Sequence, residues 1–340
     1  MAISEIIYSI NYGGLCNRIN NLINSIYLSK CLQRSLVIYW PINQACNCRY
    51  DDLFENDYKI VYLSGQDQEL VNYEDYIELF GDNCTFYKKS WKDLSASNNG
   101  FSNIRSFDHF KNHSELLNDM RKVRKDVLVQ SSRILPSIPP LEMLKGLKQL
   151  ILKKEINNSI IAFCENNNIN KDVIGAHARQ TDAAIIREDF YVHKIDSFLR
   201  KKNTQRMFFC SDSKELEIKI KETFGQRLII NPKDHYPVKL NDSCEWVTSS
   251  QGVGKYNIFR SVNSVKEALI DLHLLGQTTF RVRSFGSFST IGYYLSLINQ
   301  NHKCKISRFA DFKISHYNDF QRFVYAVDKI KFAMNNISIW

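Results

Sequence analysis

Val173-Ile174-Gly175-Ala176-His177-Ala178-Arg179-Gln180-Thr181-Asp182 passes abruptly from apolar to chemically active residues. Its first four residues are small or apolar and predict a buried strand, preceded by a helical run over 157–167. An imidazole, a cation and a carboxylate follow at once. That is the pattern of a strand's carboxyl end in an open α/β sheet, where ligands bind. Alternation with period two puts His177 and Arg179 on one side of the extended chain. Two donors aimed one way suit an anion, and the planar guanidinium suits a phosphate in particular. The plainer reading is a strand end whose Arg179 and Asp182 pair only with each other.

A chain of 340 residues has room for two domains. With 44% hydrophobic and 12% aromatic residues it has the composition of a globular protein, not of a disordered one. The net charge is +9, from 45 basic against 36 acidic residues. The basic residues are scattered, apart from short runs such as Lys88-Lys89 and 121–125. That balance suits an anionic substrate or a solvated surface. Zinc-finger spacing, a basic heptad and an aromatic-basic repeat are all missing, so no nucleic acid is expected as partner. The nine cysteines are odd in number and dispersed, which suits a reducing compartment rather than a disulfide framework. Cys46-Asn47-Cys48 is the one close pair, with no second pair at zinc-ligand spacing, so no metal is expected there. The first residues lead straight into a strand, and no stretch has the length of a membrane span. The expectation is a cytoplasmic protein without membrane insertion.

From the amino terminus, 6–10 predicts a strand and Asn11-Tyr12-Gly13-Gly14-Leu15-Cys16-Asn17-Arg18 a glycine turn. Ile19, Leu22, Ile23 and Ile26 recur at helical spacing, and 36–40 predicts the next strand. Such a turn brings backbone close to a ligand, and the helix start behind it favours negative charge. One Gly-Gly also serves as a turn for geometry alone, and it falls short of a dinucleotide fingerprint. A loop over 41–55 and a strand over 60–63 follow. The region 65–125 reads as helices and long loops in no legible order. Pro136-Ser137-Ile138-Pro139-Pro140 punctuates the chain, and helical segments occupy 141–167. The domain change is placed after them, giving units 1–168 and 169–340. Beyond Asp182 the strands are 207–210, 228–230 and 280–282. Ser211 or Asp212 caps the helix carrying Leu216, Ile220 and Phe224, which Gly225 closes. A long loop covers 231–259, and loops of that length are usually functional. Val265, Ala268, Leu269, Leu272 and Leu275 mark a short amphipathic helix with Asp271 and His273 off its main apolar face. A small-residue turn, 284–289, enters a last helix over 290–298. The second half therefore offers three polar strand ends in order, His177/Arg179/Asp182, Ser211/Asp212 and Ser284/Ser287. In a parallel sheet these share one edge and surround one ligand.

His177-Ala178-Arg179-Gln180-Thr181-Asp182 resembles the His-x-Arg-Arg-Thr-Asp motif of the α1,6-fucosyltransferase superfamily, the group of nodulation and core α1,6-fucosyltransferases. More distant members are α1,2- and protein O-fucosyltransferases. Cys210-Ser211-Asp212-Ser213 is similar to its second motif, a strand ending in Thr/Ser-Asp. Asn263-Ser264-Val265, Asp271-Leu272-His273-Leu274-Leu275 and Ser284-Phe285-Gly286-Ser287 are similar to its third. The glycine loop at 13–18 and the stretch from Trp40-Pro41 to Leu53-Phe54 resemble the segments that open bacterial members. The matched blocks keep the family's order from residue 13 to about 290.

The resemblance implies an α/β protein of GT-B architecture, two Rossmann-like domains facing across a cleft. It implies an inverting, metal-independent transfer of L-fucose from GDP-β-L-fucose, held mainly by the second domain, to a carbohydrate hydroxyl. No cofactor is implied. By resemblance Arg179 holds the diphosphate and neutralises the departing GDP, His177 and Asp271 contact guanine, and Ser287 contacts phosphate. Gly14, Asn17, Arg18, Asp212, Ser284 and Phe288 complete the implied donor site. Two positions depart from the family. Its second arginine is Gln180 here, with Arg18 as a candidate replacement, and its Lys and Glu beyond the motif align with Ala183 and Arg187. Glu188 becomes the candidate base with Asp182 second; Glu188 as a solvated loop residue is the plainer reading. The rivals are an α1,2-type or other nucleotide-sugar transferase, and a non-catalytic sugar-nucleotide- or glycan-binding protein.

Overall fold

The computed structural model describes residues 5–55, 57–62, 79–80, 84–88, 104–110, 112–135, 138–180, 188–201, 206–242, 257–282 and 286–299. In chain order the first half holds β1 (Ile6–Ile10), α1 (Leu15–Leu32), β2 (Ser35–Tyr39), β3 (Phe54–Glu55), β4 (Lys59–Val61), β5 (Cys84–Lys88) and β6 (Ile104–Ser106). It continues with α2 (His113–Lys122), β7 (Asp126–Gln130), α3 (Pro140–Lys148), β8 (Ile151–Leu152) and α4 (Lys154–Asn167). The second half holds β9 (Ile174–Ala178), α5 (Glu188–Lys201), β10 (Met207–Ser211), α6 (Lys214–Phe224) and β11 (Leu228–Ile229). After these come β12 (Val238–Lys239), β13 (Ile258–Phe259), α7 (Val262–Gln277), β14 (Thr279–Val282) and α8 (Ser287–Asn299).

The strands form a six-stranded sheet in the order β4-β2-β1-β7-β5-β6 and a four-stranded sheet in the order β11-β10-β9-β14. All neighbours in both sheets are parallel. Strands of parallel sheets are covered on both faces and so read as continuous apolar runs. Accordingly β9 and β10 are buried at every position. The sequence reading locates them, along with β1, β2 and β4. It leaves β5, β6 and β7 inside or beside the unordered 65–125 region, and the stretch read as helical over 141–167 is two helices separated by β8.

Gly13 lies in the left-handed region, with φ of 70°, which is the backbone need behind the first glycine of the turn. The helix that follows buries Ile19, Leu22, Ile23 and Ile26, and it also buries three asparagines. Those amides fix the chain beyond β7. Asn20 donates to the Ser132 carbonyl at 3.0 Å, Asn24 to that of Arg133 at 2.8 Å, and Asn21 accepts from the Ser131 N–H at 2.7 Å. Buried amides are stable where they are bonded, so this polar face of α1 sets the loop at the carboxyl edge of the first sheet.

The two halves meet through main-chain groups. Asn47 N–H donates to the Arg260 carbonyl at 3.2 Å, and Arg260 N–H donates to that of Gln44 at 2.9 Å. Helix α8 also packs on α1 and α3, and α4 packs on α7.

Candidate functional site

His177 is the fourth residue of β9, and Arg179 and Gln180 lie just past the strand's carboxyl end. Strands β10 and β14 flank β9, with Cys210 in register with His177 and Ser211 with Ala178. The ends of β9 and β10 thus bring His177, Ser211 and Asp212 to one edge of the second sheet.

His177 is 4% exposed, its Nδ1 lies 2.8 Å from the Ser289 hydroxyl, and its ring stacks 4.5 Å from Phe288 at 30°. Burial first, then Arg179 and Lys233, push its pKa down from 6.5 to about 3. The imidazole is therefore neutral in the native state at physiological pH. An unfolded chain takes up this proton near pH 6.5 while the native chain refuses it, so stability is lost as pH falls through that window towards 3. The midpoint of denaturant unfolding is expected to fall on acidification below 6.5. His177→Gln, which cannot titrate, is expected to flatten part of that slope; an unchanged slope would contradict the buried neutral ring.

The ends of β9 and β10 are tied where the Asp212 carboxylate accepts from the Gln180 N–H at 2.7 Å. Neither Ser211 nor Asp212 caps the next helix. Ser211 stays in the strand, and Ser213 is the cap, its hydroxyl accepting from Leu216 N–H at 3.2 Å. Arg179 approaches Gly286 so closely that a Cβ there would stand 2.5 Å from its Nη1. Gly286 has φ of +117° and leads directly into α8, whose first three residues are Ser287, Phe288 and Ser289. The Ser287 hydroxyl donates to Asn17 Oδ1 at 2.5 Å, joining the first turn of α8 to the first turn of α1. Gly14 is the N-cap of α1 and offers no side-chain cap. First-turn N–H groups have no intrahelical acceptor, and the helix dipole is positive there. Two helix starts and Arg179 thus converge, one helix from each half.

Two further expectations need correction. Arg18 is fully buried and clamps the glycine loop. Its Nε donates to the Gly13 carbonyl at 2.8 Å, Nη2 to Asn43 Oδ1 at 2.8 Å, and Nη1 to the Pro41 carbonyl. With every nitrogen engaged and its cation over Trp40, it does not supply the charge missing at Gln180. Glu188, the expected base, is the first residue of α5 and pairs with Lys219 on α6. Both side chains are about half exposed, which matches the solvated reading. Asp271 is 3% exposed and accepts from two side chains. Asp182 and Ser284 lie outside the described residues.

Asp271's partners are what the sequence reading missed. Lys233, in the loop after β11, directs Nζ to Asp271 at 2.6 Å, to Glu217 at 2.5 Å and to the Ser211 carbonyl at 3.1 Å. Glu217 accepts in addition from Ser211 N–H at 2.7 Å and from the Tyr236 hydroxyl at 2.6 Å. Asn231 donates to the other Asp271 oxygen at 3.0 Å. Burial pushes both carboxyls up and Lys233 pulls them back, while the two carboxylates hold Lys233 above its ordinary value against burial. The one sequence signal was the length of the loop over 231–259.

No family model matches the sequence, and no curated protein is similar to it in sequence. In three dimensions the chain is similar to NodZ alpha-1,6-fucosyltransferase co-crystallized with GDP, with 17% identity and a TM-score of 0.52 over 85% of this chain and 92% of that one. NodZ soaked with GDP-fucose gives 16% identity and a TM-score of 0.51 over 86% and 93% of the two chains. Fucosyltransferase NodZ from Bradyrhizobium gives 16% and 0.51 over 85% and 93%. The chain therefore has the GT-B fold of these structures, as the resemblance implies.

Proposed function

We propose that the protein is a glycosyltransferase that moves L-fucose from GDP-β-L-fucose to a hydroxyl of a carbohydrate acceptor, with inversion and without a metal ion. The observation that carries this reading is the convergence of Arg179 with the starts of α1 and α8, linked through Asn17 and Ser287. A leaving nucleoside diphosphate gains negative charge as the glycosidic bond breaks. Fixed donors and a fixed cation stabilise that charge without reorganising. The acceptor oxygen attacks the anomeric carbon from the face opposite GDP, the bonding pair departs with the diphosphate oxygen, and the acceptor proton passes to a base. Glu188 is turned to Lys219, so Asp182 is the remaining carboxylate of the motif for that step. His177, held neutral by its surroundings, and Asp271 are assigned to the guanine base.

Among the described residues no group of three or more His, Cys, Asp or Glu side chains is arranged to hold a metal. On this reading the charge of the diphosphate falls to Arg179 and the helix starts. Among the described residues no helix is long and apolar enough to cross a membrane, and seven cysteines are free. Free thiols fit the cytoplasm, where we place the reaction. The outward pairing of Glu188 favours one rival, a non-catalytic sugar-nucleotide-binding protein.

A hydrolysis and transfer screen across GDP-fucose, GDP-mannose and UDP-sugars, with and without EDTA, tests the reading. Turnover of GDP-fucose alone, unaffected by chelation, is the expected result. Turnover of another donor would replace the sugar assignment, and a rate lost with EDTA and restored by Mn²⁺ or Mg²⁺ would remove the metal-free mechanism. Tight binding of GDP-fucose without turnover would favour the rival.

A further inference from the structure

The cluster around Lys233 lies at the same strand edge as His177 and Arg179, because its ammonium bonds the carbonyl of Ser211, the last residue of β10. A lysine has three N–H donors, and all three are placed: one on Glu217, one on Asp271 and one on Ser211. Both side chains in each ion pair are 4% exposed. The loop that carries Lys233 is itself pinned. The N–H groups of Asp234 and His235 donate to the Glu267 carboxylate at 3.3 and 3.0 Å, one helical turn before Asp271 on α7. Loop and helix therefore hold the Asp271 carboxylate as one body.

An ionised carboxylate has about four lone-pair sites, two on each oxygen. Lys233 takes one site on Oδ2 and Asn231 takes one on Oδ1. Each oxygen keeps a second lone pair, and the two oxygens of a carboxylate together can pair with two adjacent N–H donors. One ammonium between two carboxylates also leaves the cluster with a net negative charge, which favours a donor edge and repels an acceptor edge. Guanine offers two adjacent donors, N1–H and the 2-amino group. Hypoxanthine offers one, and adenine places an acceptor at N1.

We propose that Lys233 is a specificity-determining positioning residue. By tying Asp271 to Glu217 and to the end of β10, it orients the carboxylate so that the site selects a nucleobase with two adjacent donors. The inference rests on the donor reading above. It assigns Lys233, Asn231 and Glu217 to the selection of the base, and leaves the reacting sugar to other residues.

The test compares GDP with IDP, which lacks only the 2-amino group, by calorimetry on the full chain. The wild type is expected to bind GDP at least about tenfold more tightly than IDP, the scale of one charge-assisted hydrogen bond. Lys233→Met leaves two buried carboxylates without their cation and invites misfolding. Lys233→Met combined with Glu217→Gln keeps the net charge of the cluster and removes the tie, so it is the informative variant. It is expected to lose GDP affinity by about tenfold, with IDP affinity nearly unchanged and the GDP-to-IDP ratio falling towards one. Equal loss for both nucleotides would assign the cluster a purely structural part and overturn the proposal, as would an unchanged ratio. A wild-type protein that binds neither nucleotide would overturn the donor reading itself, a failure distinct from the other two.

Discussion

Arg179→Ala is expected to lower transfer about a hundredfold or more, the usual loss when one group stabilising a developing anion is removed. Arg179 follows β9 directly, beside the start of α8, and its positive charge is felt by His177 and by Cys16 in the first turn of α1. It is the cation placed where both helix starts meet, and Gln180 contributes no second charge. Arg179→Lys is expected to recover little, since an ammonium cannot grip two oxygens with a planar fork. Steady-state kinetics with GDP-fucose and calorimetry with GDP give the two readouts. An alanine variant that keeps near-normal kcat/KM would show that the donor binds elsewhere.

The second large effect belongs to a residue with no functional group. Gly286→Ala puts a Cβ 2.5 Å from Arg179 Nη1 and forces an L residue into φ of +117°. A non-glycine residue in that region costs about 1–3 kcal/mol, so some loss of stability is expected. The larger consequence is for geometry. Either the guanidinium retreats or the first turn of α8 moves, and displacements of that order in a catalytic group cost about a hundredfold in rate. The effect should not add to that of Arg179→Ala. With the guanidinium gone, the methyl group no longer meets it, and the double variant is expected to match Arg179→Ala alone in transfer. Full additivity in that cycle would mean that Gly286 serves only the backbone of the turn.

The second half of the chain is more legible in the sequence than the first, for a physical reason. Strands β9 and β10 are buried on both faces and stand as apolar runs with polar ends, so each declares itself locally. Strand β6 has three residues, while β5 carries Thr85 and Lys88 and β7 is bounded by Asp126 and Gln130, so their apolar runs are broken or narrowed and do not rise above polar surroundings. What local pattern cannot carry is the partner of a charged side chain. Arg18 looks like a ligand-binding cation until Pro41 and Asn43 are brought against it. Glu188 finds Lys219, 31 positions away, and Lys233 finds Asp271, 38 positions away. Asp212 accepts from the Gln180 N–H, and Ser213, not Asp212, caps the helix.

The hydrogen bond between Ser287 and Asn17 spans 270 positions and places the two ends of the proposed donor site on different halves of the molecule. For protein engineering this means that the halves are not interchangeable cassettes. A chimaera that grafts the second half onto a foreign first half inherits Arg179 and the start of α8, but not the asparagine that Ser287 faces. The main-chain seam between Asn47, Arg260 and Gln44 behaves differently, because it uses only peptide groups and tolerates any side chain except a proline in place of its donors. Recombination at that seam is therefore permissive structurally and selective functionally, with Asn17 as the residue that a successful graft has to bring along.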